Sequence, residues 1–437
     1  MADSLPDLAG RVVGVWGFGR EGRSMARTAA AAGAARIEAV DDTGLSPTEA
    51  PDDVAALTVY RGPQHLDRLR HCDIVFVSPG VPWAQPVFAE LRESGLRISS
   101  AADWFMSRHA ARTIGVTGTK GKSTTASFLG HLLTSLGAEA VVAGNIGTPL
   151  SDLTPEGDVI VVAELSSQQA ALLSCSPAVA IVTNLYEDHL DWHGDTTAYY
   201  QAKANVFRTG AETLVTTPET LATFRRAGVT EFPPTVLLVD PDTAPAGAGV
   251  MSYEHNVVNG ALALAAAAQV LGRPVSEAEA AAASSTFVGL PHRLQTVRTT
   301  GAKTWIDDTL ATTGESVVAA LKAMRPDAHV ALIVGGMDRQ LSYAQLDEYL
   351  CSGSRRVELI QAPSNGTDIG RRFAATHPDR VHPVDSLEQA VRTAAALPGV
   401  DVVLLSPGAA SYDLFPNYVA KAAAFCELID GVVGAPH

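Results

Sequence analysis

Residues 113 to 124 read T-I-G-V-T-G-T-K-G-K-S-T, and the residue types stand in the order that a phosphate cradle needs. Gly118 and Gly121 let backbone N–H groups close on an anion, with Thr119 and Lys120 between them. The helical pattern Ala126–Leu136 behind them adds the partial positive charge of a helix N-terminus. Lys122 reaches terminal phosphates, Ser123 offers a hydroxyl to Mg²⁺, and Thr124 completes the run. The strict spacing G-x-x-x-x-G-K-[ST] asks for glycine at position 116 and meets Val116. A ligand-free, glycine-rich turn is the plainer alternative, but it gives no reason for G-K-S-T to open a helix.

Three further polar clusters stand just after apolar runs, where a parallel sheet presents its active site. They are Gly144-Asn145-Ile146-Gly147, then Glu164-Leu165-Ser166-Ser167-Gln168-Gln169, then Asn184-Leu185-Tyr186-Glu187-Asp188-His189-Leu190-Asp191, followed by Lys203 in Y-Y-Q-A-K. Glu164, ending the run V-I-V-V-A-E, is placed to act as a hard oxygen ligand for Mg²⁺. Taken alone, His189 reads as a hydrogen-bonded surface histidine and Lys203 as an exposed helix lysine.

The elements that must carry these residues alternate between strand and helix. Arg11–Trp16 reads as a buried strand, Gly17-Phe18-Gly19-Arg20-Glu21-Gly22 as a turn, Arg23–Ala32 as a helix and Arg36–Val40 as a second strand ending at Asp41, Asp42 and Thr43. This is formally the dinucleotide fingerprint, and alone it suggests NAD. The same geometry serves any nucleotide, and tight packing is the competing explanation for its glycines. Asp73–Val77 followed by Ser78-Pro79-Gly80 repeats the strand-to-loop pattern. Strand and helix then alternate through the central segment and again through the last third, which predicts mostly parallel sheets covered on both faces. We expect an α/β protein of three domains: residues 1–108 Rossmann-like, 109–296 a central P-loop-type ATPase domain with a parallel sheet, and 297–437 Rossmann-like again.

The chain has 437 residues, which at about 100–200 per domain allows two to four domains. Lys and Arg number 32 against 47 Asp and Glu, and the net charge of −15 argues against non-specific binding to nucleic acid or anionic membranes. The four cysteines are scattered without a C-x-x-C pair, so neither a zinc site nor a disulfide framework is expected. The N-terminus lacks signal-peptide character and no apolar run suggests a membrane span, so a cytoplasmic protein is expected.

Nine motifs in register extend over nearly the whole chain: G-T-K-G-K-S-T, G-N-I-G, E-L-S-S-Q-Q, N-x-x-E-D-H-x-D, Lys203, H-N-x-x-N, L-P-H-R-L, D-D-T-L-A-T-T and S-P-G-A-A-S-Y-D. Together they resemble the Mur ligase family, most closely the MurD branch, which joins glutamate to UDP-N-acetylmuramoyl-L-alanine in peptidoglycan assembly. The resemblance implies that Gly118 to Thr124 wrap ATP, with Lys122 on the transferred phosphoryl group. Ser123 and Glu164 would hold one Mg²⁺, and His189 with a carbamylated Lys203 the second. His255, Asn256 and Asn259 would contact ATP, which Arg293 and Asp308 complete from the C-terminal side. Asp42 and Thr43 would meet the uracil end, Ser78, Pro79 and Gly80 the diphosphate, and Asn145, Ser166 and Gln169 the sugar-peptide arm. The implied reaction passes through an acyl phosphate and gives ADP and phosphate, in a protein expected to be a monomer.

Where the D-glutamate-adding enzymes carry lysine in D-S-K-A-T-N and in G-G-x-x-K, this chain has Leu310 and Arg339. Losing one carboxylate partner and changing a point charge to a planar fork should move the substrate's carboxylates. The pattern is similar to the subfamily that adds L-glutamate, with Leu310, Thr312, Arg339, Ser411, Tyr412 and Tyr418 forming the pocket. Ordinary D-glutamate addition is the nearer alternative. A nicotinamide-dependent oxidoreductase, resting on Gly17–Gly22 alone, and a non-catalytic nucleotide-binding regulator are the remoter ones.

Overall fold

The computed structural model describes residues 5–43, 54, 56–82, 85–245 and 247–433, and it leaves the side chains of His255 and Val433 outside that description. The first compact unit runs to Phe287 and the second begins at Val288.

The first unit holds two sheets. One is built from β1 (Val12–Trp16), β2 (Arg36–Asp41), β3 (Leu57–Arg61), β4 (Ile74–Val77) and β5 (Arg97–Ser99), ordered β3-β2-β1-β4-β5 and parallel throughout. The order reverses beside β1, so the carboxyl ends of β1 and β4 flank the crevice that such sheets offer a ligand. The helix Arg20–Ala31 follows β1, buries Met25, Ala26 and Ala29, and stops before Gly33. It starts three residues earlier than its apolar pattern predicts, because Arg20, Glu21 and Gly22 are themselves helical.

The other sheet comprises β6 (Thr113–Thr117), β7 (Ala140–Gly144), β8 (Ile160–Glu164), β9 (Val179–Val182), β10 (Thr213–Thr216) and β11 (Thr235–Leu238), ordered β11-β10-β9-β6-β8-β7. Its strands are continuous apolar runs because both faces are covered. Val161 belongs to one core, with Val206 and Phe207, while its neighbour Val162 belongs to the opposite one, with Phe128 and Leu262. The helix predicted over Ala126–Leu136 spans Lys122–Ser135, so the phosphate-type loop runs into it without a break.

The second unit holds β12 (Gln295–Thr300), β13 (Lys303–Asp307), β14 (Val330–Val334), β15 (Val357–Gln361), β16 (Val381–Pro383) and β17 (Val402–Leu405), ordered β12-β13-β17-β14-β15-β16. Among the described strands of this sheet, only the β12–β13 pair is antiparallel. Its core includes Trp305 against Phe425, ring centroids 6.1 Å apart, each burial contributing roughly 1.5–3 kcal/mol. Among the described residues no helix is long and apolar enough to cross a membrane.

Candidate active site

The loop between β6 and its helix is shaped by neighbours that leave no room for side chains. Gly118 has φ +142°, and a Cβ there would collide with the Thr183 hydroxyl; Gly121 has φ +83°, and a Cβ there would collide with the Asn259 amide. The stretch after β9 braces the loop from outside. Thr119 N donates to Asn184 O at 2.9 Å, Lys120 N to Asn184 Oδ1 at 2.9 Å, and Thr183 Oγ1 to Lys120 O at 2.6 Å. Lys120 is otherwise exposed, 3.4 Å from Asp188. Thr124 is buried in the first turn, next to Ser123. Asn256 and Asn259 are also buried, and Asn259 Nδ2 donates to Asn256 Oδ1 at 3.2 Å.

Two lysines approach this loop. Lys122 Nζ donates to the carbonyls of Gly118 and Thr119, both at 3.0 Å. Lys203, expected from its sequence context alone to be an exposed helix lysine, is instead 1% exposed, and its Nζ donates to Gly118 O at 2.8 Å. Burial first, then the Lys122 charge, hold its pKa well below the ordinary lysine value. Its ammonium also lies 4.8 Å from the centre of the Tyr199 ring.

Glu164, at the end of β8, is 1% exposed. Its Oε1 accepts from Asn145 Nδ2 at 2.7 Å, while its buried Oε2 has no hydrogen-bond partner among the described residues. A buried carboxylate oxygen without a donor is costly unless a cation meets it, so this position fits a hard metal ion. Among the described residues there is no cluster of three His, Cys, Asp or Glu. A metal beside Glu164 would need further oxygen ligands from a hydroxyl and from the bound molecules, a donor set that suits Mg²⁺. His189 is half exposed and adopts φ +51°, an uncommon conformation for a non-glycine residue. Its backbone N donates to Asp188 Oδ1 at 3.0 Å. His193, one turn on, has its pKa lowered to about 4 by burial, then by Lys203 and His189.

Of the residues expected at the nucleotide-sugar, Ser78 Oγ donates to Gly17 O at 2.7 Å, which joins the Ser78-Pro79-Gly80 loop to the glycine turn after β1. Gln85 Nε2 donates to Asp42 Oδ2 at 3.1 Å, and Thr43 Oγ1 to Asp41 Oδ1 at 3.0 Å. Ser166 and Gln169 form a capping box on the short helix Ser167–Ala171, so their side chains first of all fix that helix. Glu21, half-buried with its pKa raised to about 7 chiefly by desolvation, accepts from Gln169 Nε2 at 2.7 Å.

In the second unit the loops after β13, β14 and β17 lie side by side because these strands are neighbours. His292 Nδ1 lies 2.7 Å from Asp307 Oδ2, and Leu294 N donates to Asp308 Oδ1 at 3.2 Å, so the P-H-R turn that carries Arg293 is tied to D-D-T-L. His292 and Leu294 both have positive φ. Asp308 is buried, accepts from Ser406 Oγ at 2.7 Å and has its pKa raised to about 7 by burial. Leu310 N donates to His292 O, Gly408 N to Ala311 O and Met337 N to Ala410 O. The Tyr418 ring lies 5.5 Å from that of His292. Ser411 Oγ is buried without a partner among the described residues, whereas Thr312 is half-buried and Arg339 and Tyr412 are exposed.

Family models match at two places: the Mur ligase middle domain over residues 116–226, and the Mur ligase glutamate ligase domain over residues 292–408. A protein of Micromonospora sp. named UDP-N-acetylmuramoyl-L-alanine--L-glutamate ligase is 40% identical over 99% of both chains. The chain belongs to the Mur ligase family. A member from Marinobacter nauticus named UDP-N-acetylmuramoylalanine--D-glutamate ligase is 32% identical over 95% of this chain and 97% of its own length. The solved Mur ligase MurC (UDP-N-acetylmuramate-alanine ligase) of Thermotoga maritima shares the fold, with a TM-score of 0.60 at 19% identity over 96% of this chain and 99% of its own.

Motif reading passed over several residues that hold these loops from outside the motifs. Arg20 and Glu21 fill the x positions of G-x-G-x-x-G, which count as spacing only. Trp192 directly follows D-H-L-D, and its indole N–H donates to Val81 O at 3.0 Å, holding the Ser78–Val81 loop. The available signal was a cation, an anion and an aromatic residue set between motif positions that ask for none.

Proposed function

We infer that this Mur ligase uses ATP to join glutamate to UDP-N-acetylmuramoyl-L-alanine, a step in making peptidoglycan precursors. The observation that carries the reading is Glu164, with a buried oxygen unpartnered among the described residues, at the end of a strand adjacent to the one that feeds the Gly118–Thr124 loop. Mg²⁺ bound by Ser123 and Glu164, and by His189 and Lys203, would supply charge neutralisation for the triphosphate and the substrate carboxylate. The substrate carboxylate attacks the γ-phosphorus, ADP leaves, and an acyl phosphate results. Glutamate's neutral amine then attacks the acyl carbon, phosphate leaves, and the nitrogen loses a proton. Lys122 moves from its loop carbonyls to the transferred phosphoryl group, and the backbone N–H groups at the helix start hold the remaining phosphate oxygens.

Carbamylation of Lys203 belongs to this reading. An ammonium cannot ligate a cation, whereas a carbamate formed from the neutral amine and CO₂ supplies anionic oxygens and keeps one N–H for the Gly118 carbonyl. Its support is the burial of the amine and its direct contact with the loop. Asp42, Thr43 and Ser78 to Gly80 would take the UDP end, Asn145, Ser166 and Gln169 the sugar-peptide arm, and Asn256, Arg293 and Asp308 the remainder of ATP. Domain boundaries at 108 and 296 are part of the same proposal.

The amino acid would be L-glutamate. Leu310 removes a cation from the pocket, Arg339 replaces a point charge with a fork, and Ser411 Oγ stands ready for a carboxylate. Purified protein given UDP-N-acetylmuramoyl-L-alanine, ATP, Mg²⁺ and one glutamate enantiomer at a time should release phosphate with the L form. Release with the D form alone rejects the enantiomer, and release with neither rejects the ligase.

A further inference from the structure

We propose that Arg20 and Glu21 are positioning residues that hold the two loops flanking Glu164; this rests on reading Glu164 as the metal carboxylate. The two residues stand side by side in the first turn of the helix Arg20–Ala31, one reaching the loop after β7 and the other the turn after β8. The Arg20 guanidinium donates through Nη1 to Gly147 O at 3.1 Å, and through Nη2 to Gly144 O at 3.2 Å and Asn145 O at 3.1 Å. Gly144 ends β7 in direct register with Glu164 of β8. The gripped residue Asn145 also donates its backbone N to Glu164 O at 2.9 Å and its side-chain Nδ2 to Glu164 Oε1 at 2.7 Å. Arg20 thus fixes the residue that orients the carboxylate.

Glu21 acts on the turn after β8. Its Oε1 accepts from Gln169 Nε2 at 2.7 Å, and Gln169 Oε1 accepts from Ser166 N at 2.9 Å, two residues beyond Glu164. Gln169 is 2% exposed, so removal of the Glu21 carboxyl strands a buried amide donor. A planar fork with several donors suits three carbonyls in a way that a lysine ammonium does not. The helix carrying both residues packs on the sheet to which the UDP end is assigned. Nucleotide-sugar and metal carboxylate therefore share one frame, and the distance between them is set by two consecutive side chains. Both act through Asn145 and Gln169, which makes them positioning rather than catalytic residues.

The test uses the full-length enzyme with UDP-N-acetylmuramoyl-L-alanine, L-glutamate, ATP and Mg²⁺, following ADP formation. Arg20→Ala should lower kcat by about 10- to 100-fold, the cost of misplacing a reacting group by roughly 1 Å. It should also raise the Mg²⁺ concentration for half-maximal rate, with KM for glutamate unchanged. Arg20→Lys should recover only part of the loss. Glu21→Gln keeps an acceptor for Gln169 and should turn over like the parent, whereas Glu21→Ala should fall as Arg20→Ala does. Unchanged kcat and Mg²⁺ dependence in Arg20→Ala overturn the proposal, as does an effect confined to KM for the nucleotide-sugar, which would make Arg20 a plain substrate contact. Thermal unfolding checks each variant. Should Arg20→Ala not fold, the Glu21→Gln and Glu21→Ala pair decides alone, and equal kcat for the two overturns the proposal. A parent enzyme that makes no ADP with either glutamate enantiomer rejects the ligase reading instead, so the two failures are told apart.

Discussion

Lys122 and Lys203 share one acceptor, the carbonyl oxygen of Gly118, at 3.0 and 2.8 Å. Two ammonium groups on a single oxygen repel each other, and the buried one yields: Lys203 is driven towards the neutral amine by burial and then by Lys122. The pair differs before any ligand arrives, with a half-buried cation on the loop and a buried amine driven towards the neutral form.

If that amine supplies a metal ligand after carbamylation, Lys203→Ala should cost about 10²- to 10³-fold in kcat, the scale of removing a preorganised charge-stabilising group. Phosphate release under saturating substrates measures it, and mass spectrometry of the intact protein under CO₂ should show the 203 adduct lost in the variant. Parent-like turnover by Lys203→Ala would remove Lys203 from the metal-binding argument.

Asp308 predicts a pH dependence of stability. The folded-state pKa is raised to about 7, while an unfolded aspartate ionises near 4. Between those values the folded chain holds a proton that the unfolded chain has released, so stability falls as pH rises from about 4 to 7 and the loss is complete above 7. Asp308→Asn cannot ionise and should unfold later than the parent at pH 8, by at most about 4 kcal/mol, with the gap closing by pH 4. Calorimetry at the two pH values measures this. A gap that widens in acid would refute it.

The amino-acid pocket can be tested by restoring the lysines that this chain lacks at positions 310 and 339. Leu310→Lys combined with Arg339→Lys should raise kcat/KM for D-glutamate and lower it for L-glutamate, because the cations that hold carboxylates are relocated. Competition between the two enantiomers in one reaction reads the ratio directly. An unchanged ratio would remove these positions from the specificity argument.

Lys303 closes a helix rather than a site. Its Nζ donates to the carbonyls of Ala394, Ala395 and Leu397 at 3.0, 2.6 and 2.7 Å, at the end of the helix Leu387–Ala396. Lys303→Met should destabilise the second unit by about 1.5–3 kcal/mol, the range for hydrogen bonds to a charged group. Urea unfolding followed by Trp305 fluorescence measures it, with ligase activity at low temperature little altered.

The alternation of apolar runs and glycine turns made the α/β architecture and its parallel sheets legible, since buried parallel strands have no polar face to disguise them. The phosphate-type loop was readable because Gly118 and Gly121 are required by their neighbours Thr183 and Asn259. The burial of Lys203 was not readable from local pattern, because it depends on the helix Thr196–Arg208 lying over β6, a contact between residues 85 apart at Gly118. Arg20 and Glu21 were illegible for the same reason: their partners are some 124 to 148 positions away. Helix starts came out late by several residues where glycine and charged residues open the first turn.

Thr183 and Asn259, pressed against the two glycines, also bear on drug resistance. A compound that copies a triphosphate and hydrogen-bonds to this loop's backbone would meet a target with little freedom to mutate away, because any side chain at 118 or 121 displaces the walls that shape the loop. Escape would have to arise elsewhere, at Lys120 or on the exposed rim, where substitution leaves the backbone grip intact.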